Sequence, residues 1–296
     1  MKVGIIGAGA WGTVLGIYAG SKKNKVILWS YEGAEKIQKT RVSPYLRGES
    51  IPPSVRVTGD FSDLSVADVW LITTPSEHIR SVLQSVKPHW KKQPVLICSK
   101  GMEPASGKFM SEILTEVFGK NKELFGVFSG PSFAQDALRS GATGITVSGD
   151  KKLFELVKKS FPENFYFEHS ADVMGADICG AAKNAIALIM GFVGKREIAE
   201  NERALIITLL WQEVIAFGLK SGAKLETFNR LCGIGDLFLT ASSSTSRNYS
   251  AGNAIAHGVK VIGTVEGVPA LRGILNRADA KNIDMPLMKD FATDIL

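Results

Sequence analysis

The chain has 296 residues, 45% hydrophobic and 22% charged, which excludes a disordered or fibrous protein and leaves room for two domains. A net charge of +6 without any lysine or arginine block argues against nucleic acid as a partner, because nucleic-acid binders concentrate such charge on one element. Three cysteines, Cys98, Cys179 and Cys232, with no CxxC spacing exclude a disulfide framework and a zinc site, and point to a reducing, cytoplasmic setting.

The chain opens on MKVGIIGAGAWG, apolar but broken by glycines and lacking a cleavage pattern, so it reads as a strand and turn and not as a signal peptide. No stretch reaches the roughly 20 apolar residues that span a bilayer, so membrane insertion is not expected. Through the first half, short β-branched runs at 2–6, 26–29, 55–58, 69–73, 95–98 and 125–128 alternate with helical segments such as 77–86 and 108–118. The runs VWLIT and VLIC are continuously apolar, as strands covered on both faces must be. This alternation predicts an α/β fold, with an N-terminal Rossmann-type doubly wound sheet. Strand candidates at 145–148 and 165–167 flank a helix at 151–160. Beyond residue 170 the spacing turns helical, at 172–192, 197–221, 225–229, 250–257, 266–280 and 286–295. The expectation is therefore a dinucleotide-binding domain over 1–170 and an all-helical C-terminal substrate or catalytic domain over 171–296.

Gly7-Ala8-Gly9-Ala10-Trp11-Gly12 is a GxGxxG between a strand and a helix. Gly7 permits the turn, Gly9 lets amides approach a pyrophosphate, and Gly12 lets the helix pack closely on the strand. The helix amino terminus then meets the anion with unpaired N–H groups. At the tip of the second strand, Leu28-Trp29-Ser30-Tyr31-Glu32 has no arginine for a 2′-phosphate, and its acid falls one or two positions late for a ribose hydroxyl. The cofactor is therefore NAD or NADP.

Lys183 and Asn184 are the polar residues of the apolar stretch CGAAKNAIALIMG. Burial lowers a lysine pKa and makes it a candidate general base; the alternative is an amine snorkelling to water. Asp236, after a glycine pair in GIGDLFLT, can orient that lysine, bind a substrate hydroxyl, or simply cap a helix. Ser246, Arg247 and Asn248 form a loop suited to a phosphate, or to solvent. Lys100 follows the fifth strand, and Gly130-Pro131-Ser132 closes the sixth, at the ends that face the crevice of a doubly wound sheet.

Taken together, GIIGAGAWGT, ICSKG, SGPSFA, GADICGAAKNAIA, GIGDLFLT, SRN, TVEGVPAL and MPL resemble the bacterial-type NAD(P)-dependent glycerol-3-phosphate dehydrogenases over almost the whole chain. The resemblance implies interconversion of sn-glycerol 3-phosphate and dihydroxyacetone phosphate, supplying phospholipid synthesis, in a cytoplasmic homodimer that uses no metal. It implies that Lys183 accepts the C2 hydroxyl proton. Lys100, Gly130, Ser132, Asp236, Ser246, Arg247 and Asn248 would hold the small phosphorylated substrate. Ala10, Trp11, Tyr31, Lys100, Ala134, Arg247 and Glu266 would join the glycine turn in touching the cofactor. Two departures stand out: the stretch 194–201 is charged where the family is glycine-rich, and the Ser30-Tyr31 pair replaces the usual arginine. The alternatives are a β-hydroxyacid or ketopantoate-type dehydrogenase, which lacks the GIGDLFLT and SRN blocks, and a non-catalytic dinucleotide sensor.

Overall fold

The computed structural model describes residues 1–46, 48–140, 143–196, 198–243, 245–261, 263 and 265–296. Its first half runs β1 (Lys2–Ile6), α1 (Ala10–Ser21), β2 (Lys25–Trp29), α2 (Ala34–Thr40), β3 (Val55–Thr58), β4 (Val69–Ile72), α3 (Ile79–Val86), β5 (Val95–Ile97), α4 (Met110–Phe118), β6 (Phe125–Ser129), α5 (Ala134–Ser140), β7 (Thr143–Ser148), α6 (Lys151–Ser160) and β8 (Phe165–Ser170). The strands form one sheet in the order β3-β2-β1-β4-β5-β6-β7-β8. The order reverses direction between β1 and β4, the switch point at which ligands enter doubly wound sheets. Pairing is parallel from β3 through β6. β7 then runs antiparallel to β6, and β8 parallel to β7.

That reversal is not evident from alternation alone. A parallel crossover must return the chain along the full length of the sheet, usually with a helix. The seven residues of α5 rise about 10 Å, less than a strand's length, so the chain re-enters the sheet from the edge it has just left. α2 and α5 also escape sequence reading, because each is one polar turn or two with little apolar periodicity.

The second half is helical: α7 (Val173–Val193), α8 (Glu200–Lys220), α9 (Leu225–Phe228), α10 (Asp236–Ala241), α11 (Arg247–Ala256), α12 (Gly267–Ala280) and α13 (Pro286–Ile295). Glu197, where the sequence places the start of the helix that forms α8, lies outside the described residues. Two compact units result, Met1–Ser99 with Ser111–Ala171, and Lys100–Met110 with Asp172–Leu296. The segment Lys100–Met110, read from sequence as part of the first domain, thus packs with the helices. Arg277 on α12 fixes it, donating to the Gly107 carbonyl at 3.2 Å and lying over the Phe109 ring.

α7 is the axis of the helical unit. The Asp172 carboxylate caps it by accepting from Gly175 N at 2.8 Å, and also accepts from Lys224 N and Thr227 Oγ1. Its small residues serve close packing: a Cβ on Gly191 would strike the Tyr249 carbonyl, and one on Gly252 of α11 would strike the Leu188 carbonyl. The first half of α11 is thereby held against the last two turns of α7. By length and composition α7 is apolar enough to cross a bilayer, contrary to the sequence expectation, but nearly all of it is buried inside the protein.

Candidate active site

Within the helical unit, four of the singled-out residues converge. Lys183, in the middle of α7, donates to Asp236 Oδ1 at 2.8 Å, and Lys100 donates to Asp236 Oδ2 at 2.6 Å. Asp236 opens α10, following a single π-type turn at Leu231–Gly235. Such turns are often found at functional sites. Arg247, the first residue of α11, is exposed and lies close enough for its charge to be felt at Lys183. Lys183 therefore does not snorkel to water: it is buried, and it shares one carboxylate with Lys100.

Burial pulls the Lys183 amine down from 10.5 to about 8. The charges of Lys100 and Arg247 pull the same way, against the Asp236 carboxylate that holds it up. Burial opposes ionisation of Asp236 too, but Lys100 and Lys183 outweigh it and keep the carboxyl below its ordinary value. With its pKa lowered toward neutral pH, the Lys183 amine is suited both to take and to return a proton.

Sequence reading missed Thr240. Its hydroxyl accepts from Lys183 at 2.9 Å, and lies 3.3 Å from Asp236 Oδ1. The signal was its i+4 spacing from Asp236, which puts both on one face of α10. Asn184 has a different part. It donates to the Lys100 carbonyl at 3.2 Å and accepts from Asn248 at 2.9 Å, while Asn248 accepts from Gly267 N at 2.9 Å. This buried chain ties α7, α11, the start of α12 and the Lys100 backbone together. The Asn248 amide is thus engaged within the protein.

The expected 246–248 loop is the start of α11. Ser246 caps it, its hydroxyl accepting from Tyr249 N at 3.4 Å. The serine run before it competes with helix and masks that start. Glu266 immediately precedes α12 and is partly buried. Of the departure at 194–201, Gly194–Arg196 forms a short turn, with Lys195 Nζ donating to the Ala256 carbonyl at 2.6 Å, and Glu197 lies outside the described residues.

The other residues lie in the sheet unit. Gly7 follows β1 at φ +121°, and Thr73 donates its hydroxyl to the Gly7 carbonyl at 2.7 Å. A Cβ on Gly12 would strike that same carbonyl, whereas the space over Gly9 is open. Gly9 gives the first turn of α1 no side-chain cap, so its amides remain available to an anion. The buried Trp11 Nε1 has no partner among the described residues. A cradle of this form suits the pyrophosphate of NAD or NADP. At the tip of β2, Tyr31 is 82% exposed. The Ser30 hydroxyl is committed to the Glu32 carbonyl at 2.7 Å. Ser132 donates to the Gly130 carbonyl at 2.9 Å, and Ala134 begins α5. Among the described residues, no group of His, Cys, Asp and Glu has the form of a metal site.

Residues 2–154 match the family model for the NAD-dependent glycerol-3-phosphate dehydrogenase N-terminus, and residues 172–293 the model for its C-terminus. A glycerol-3-phosphate dehydrogenase (NAD(P)+) of Bradyrhizobium diazoefficiens is 35% identical over 98% of this chain and 91% of its own length. The crystal structure of a glycerol-3-phosphate dehydrogenase from Coxiella burnetii superposes with a TM-score of 0.90 at 28% identity, covering 98% of this chain and 93% of that one. A ketopantoate reductase from Ralstonia eutropha reaches a TM-score of 0.64 at 18% identity, over 100% of this chain and 97% of that one, a likeness of fold alone.

Proposed function

The chain belongs to the NAD-dependent glycerol-3-phosphate dehydrogenase family, and on that premise we propose that it interconverts sn-glycerol 3-phosphate and dihydroxyacetone phosphate. The observation that carries the reading is the buried Lys183 amine, lowered to about 8 and held 2.8 Å from Asp236.

A bound nicotinamide dinucleotide supplies the acceptor or donor of hydride at C2 of the substrate. Gly7, Gly9, Ala10, Trp11 and Gly12 would hold it, and Tyr31, Lys100, Ala134, Arg247 and Glu266 are the further cofactor contacts of the proposal. In oxidation, neutral Lys183 takes the proton of the C2 hydroxyl; in reduction, the ammonium returns it. Asp236 holds the Lys183 amine in place and keeps its proton from leaving too readily. Thr240 gives the amine a second fixed partner. The surplus of cations over Asp236 suits a dianionic phosphate, for which Arg247, Lys100 and the amino end of α11, with Ser246 and Asn248, are the proposed partners, and Gly130 and Ser132 further proposed substrate contacts. With this reading go a sheet domain for the dinucleotide, a helical domain for the substrate, a homodimeric state in the cytoplasm, and use of the product in phospholipid synthesis.

Oxidation of NADH and NADPH is to be followed with dihydroxyacetone phosphate and, in parallel, with 2-keto acids that carry a carboxylate. Turnover with the phosphate ester alone supports the proposal. Faster turnover with the keto acid would replace it by a ketopantoate-type activity, and cofactor binding without turnover on either would leave a dinucleotide sensor.

A further inference from the structure

The sequence contains no basic block, but the topology makes one. The starts of β2, β1, β4, β5 and β6 lie side by side, joined by hydrogen bonds from Lys25 N to Met1 O (3.0 Å), Asp68 N to Lys2 O (2.8 Å), Trp70 N to Pro94 O (2.8 Å) and Val95 N to Leu124 O (2.7 Å). Because β7 runs the other way, with Ser148 opposite Val127, the segment after it arrives at the same edge. Six of the segments that end there are 1–2, 22–25, 66–68, 87–94, 119–124 and 149–152. They carry eleven lysines, Lys2, Lys22, Lys23, Lys25, Lys87, Lys91, Lys92, Lys120, Lys122, Lys151 and Lys152, against Asp68, Glu123 and Asp150. All eleven are exposed, and among the described residues none is in an ion pair. The rest of the chain holds 24 Lys and Arg against 26 Asp and Glu, so the whole positive surplus sits on this edge.

We propose that this lysine-lined amino edge of the sheet is a docking surface for an anionic lipid bilayer. Lys2 and Lys25 are register partners on neighbouring strands, a like-charge juxtaposition that the single Asp68 carboxylate beside Lys2 only half offsets. Two of the three acids are occupied by backbone amides, Asp68 with Lys2 N and Asp150 with Lys152 N. The charges spread over six strands, about 24 Å at strand spacing, which suits an extended charged plane better than one small anion.

Apart from His89, the basic residues in these segments are all lysines. Lysine is a mobile point charge, fit for a diffuse surface potential, while readout of bases and forked grips on single phosphates favour arginine. Nor is there a stacking platform for bases: Trp90 donates its Nε1 to the Gln93 carbonyl at 2.8 Å and packs edge-on against Phe118. The edge lies at the opposite end of the strands from the Gly7 turn, so docking leaves that turn free.

The full chain is to be sedimented with phosphatidylcholine vesicles, with and without phosphatidylglycerol, at low salt and at about 1 M salt, where the Debye length falls to about 3 Å. Binding is expected only with phosphatidylglycerol and only at low salt. Each lysine near such a surface is worth roughly a factor of five in partitioning, so combined Lys22→Glu, Lys25→Glu, Lys91→Glu and Lys122→Glu is expected to weaken it at least about 100-fold with turnover unchanged. Glutamine at the same four positions should weaken it in the same direction, which guards against misfolding of the reversed-charge variant. Replacing Lys158 and Lys159 by glutamate should leave binding within about threefold, since those lysines close α6, away from this edge. Equal binding by the edge variant and the unaltered chain would overturn the proposal, as would tighter binding to duplex DNA than to the vesicles.

Discussion

If Asp236 tunes Lys183, replacing it with asparagine must move the pH dependence of turnover in one direction. The carboxylate lies 2.8 Å from the Lys183 amine. Two unit charges at that distance attract by about 1.5 kcal/mol even at the dielectric constant of water, and by about 6 kcal/mol at an effective value of about 20. This attraction favours the ammonium, so its loss lowers the lysine pKa further, by at least about one pH unit. In the oxidation direction kcat/KM of the unaltered chain should rise with pH through about 8, where Lys183 gives up its proton. In Asp236→Asn that rise should fall at about pH 7 or below, on a lower plateau because the amine is less well held. Initial rates with glycerol 3-phosphate across pH 5.5 to about 9.5, a range set by these two positions, give the comparison. A rise that stays at its original pH, or moves upward, would refute the electrostatic role of Asp236.

Three further outcomes follow from the geometry. Arg247→Ala should raise KM for dihydroxyacetone phosphate by about 10- to 150-fold, the equivalent of one charge-assisted bond of about 1.5–3 kcal/mol; an unchanged KM would place the phosphate elsewhere. Gly12→Ala pushes a methyl into the Gly7 carbonyl and should cost about 1–3 kcal/mol of stability and weaken dinucleotide binding, seen in thermal melts and fluorescence titration; native values in both would contradict the close approach. With no arginine beside Ser30 and its hydroxyl already engaged, NADH should compete well with NADPH, and a strong NADPH preference in parallel kinetics would show that another group holds the 2′-phosphate.

Much of this protein is legible in its sequence, for identifiable reasons. Strands covered on both faces announce themselves as apolar runs, and GxGxxG after a strand marks the turn where Gly12 has no room for a side chain. A lysine in a mostly apolar helix is conspicuous because burying an unpaired ammonium is so unfavourable. What the sequence hides depends on contacts distant along the chain. The direction of β7 depends on the reach of α5. The binding of Lys100 to Asp236 joins residues 136 apart, and the packing of Lys100–Met110 with the helices depends on Arg277. The SSSTS run hides a helix start, since hydroxyl side chains favour both loops and caps. The eleven lysines look scattered until strand pairing sets their segments side by side.

The central claim rests on one buried amine. Lys183→Ala should lower turnover of dihydroxyacetone phosphate by about 100- to 10,000-fold, the range of a lost general acid–base, while the dissociation constant for NADH stays within about threefold. Turnover within tenfold of the unaltered chain, with NADH still bound, would mean that another group moves the proton.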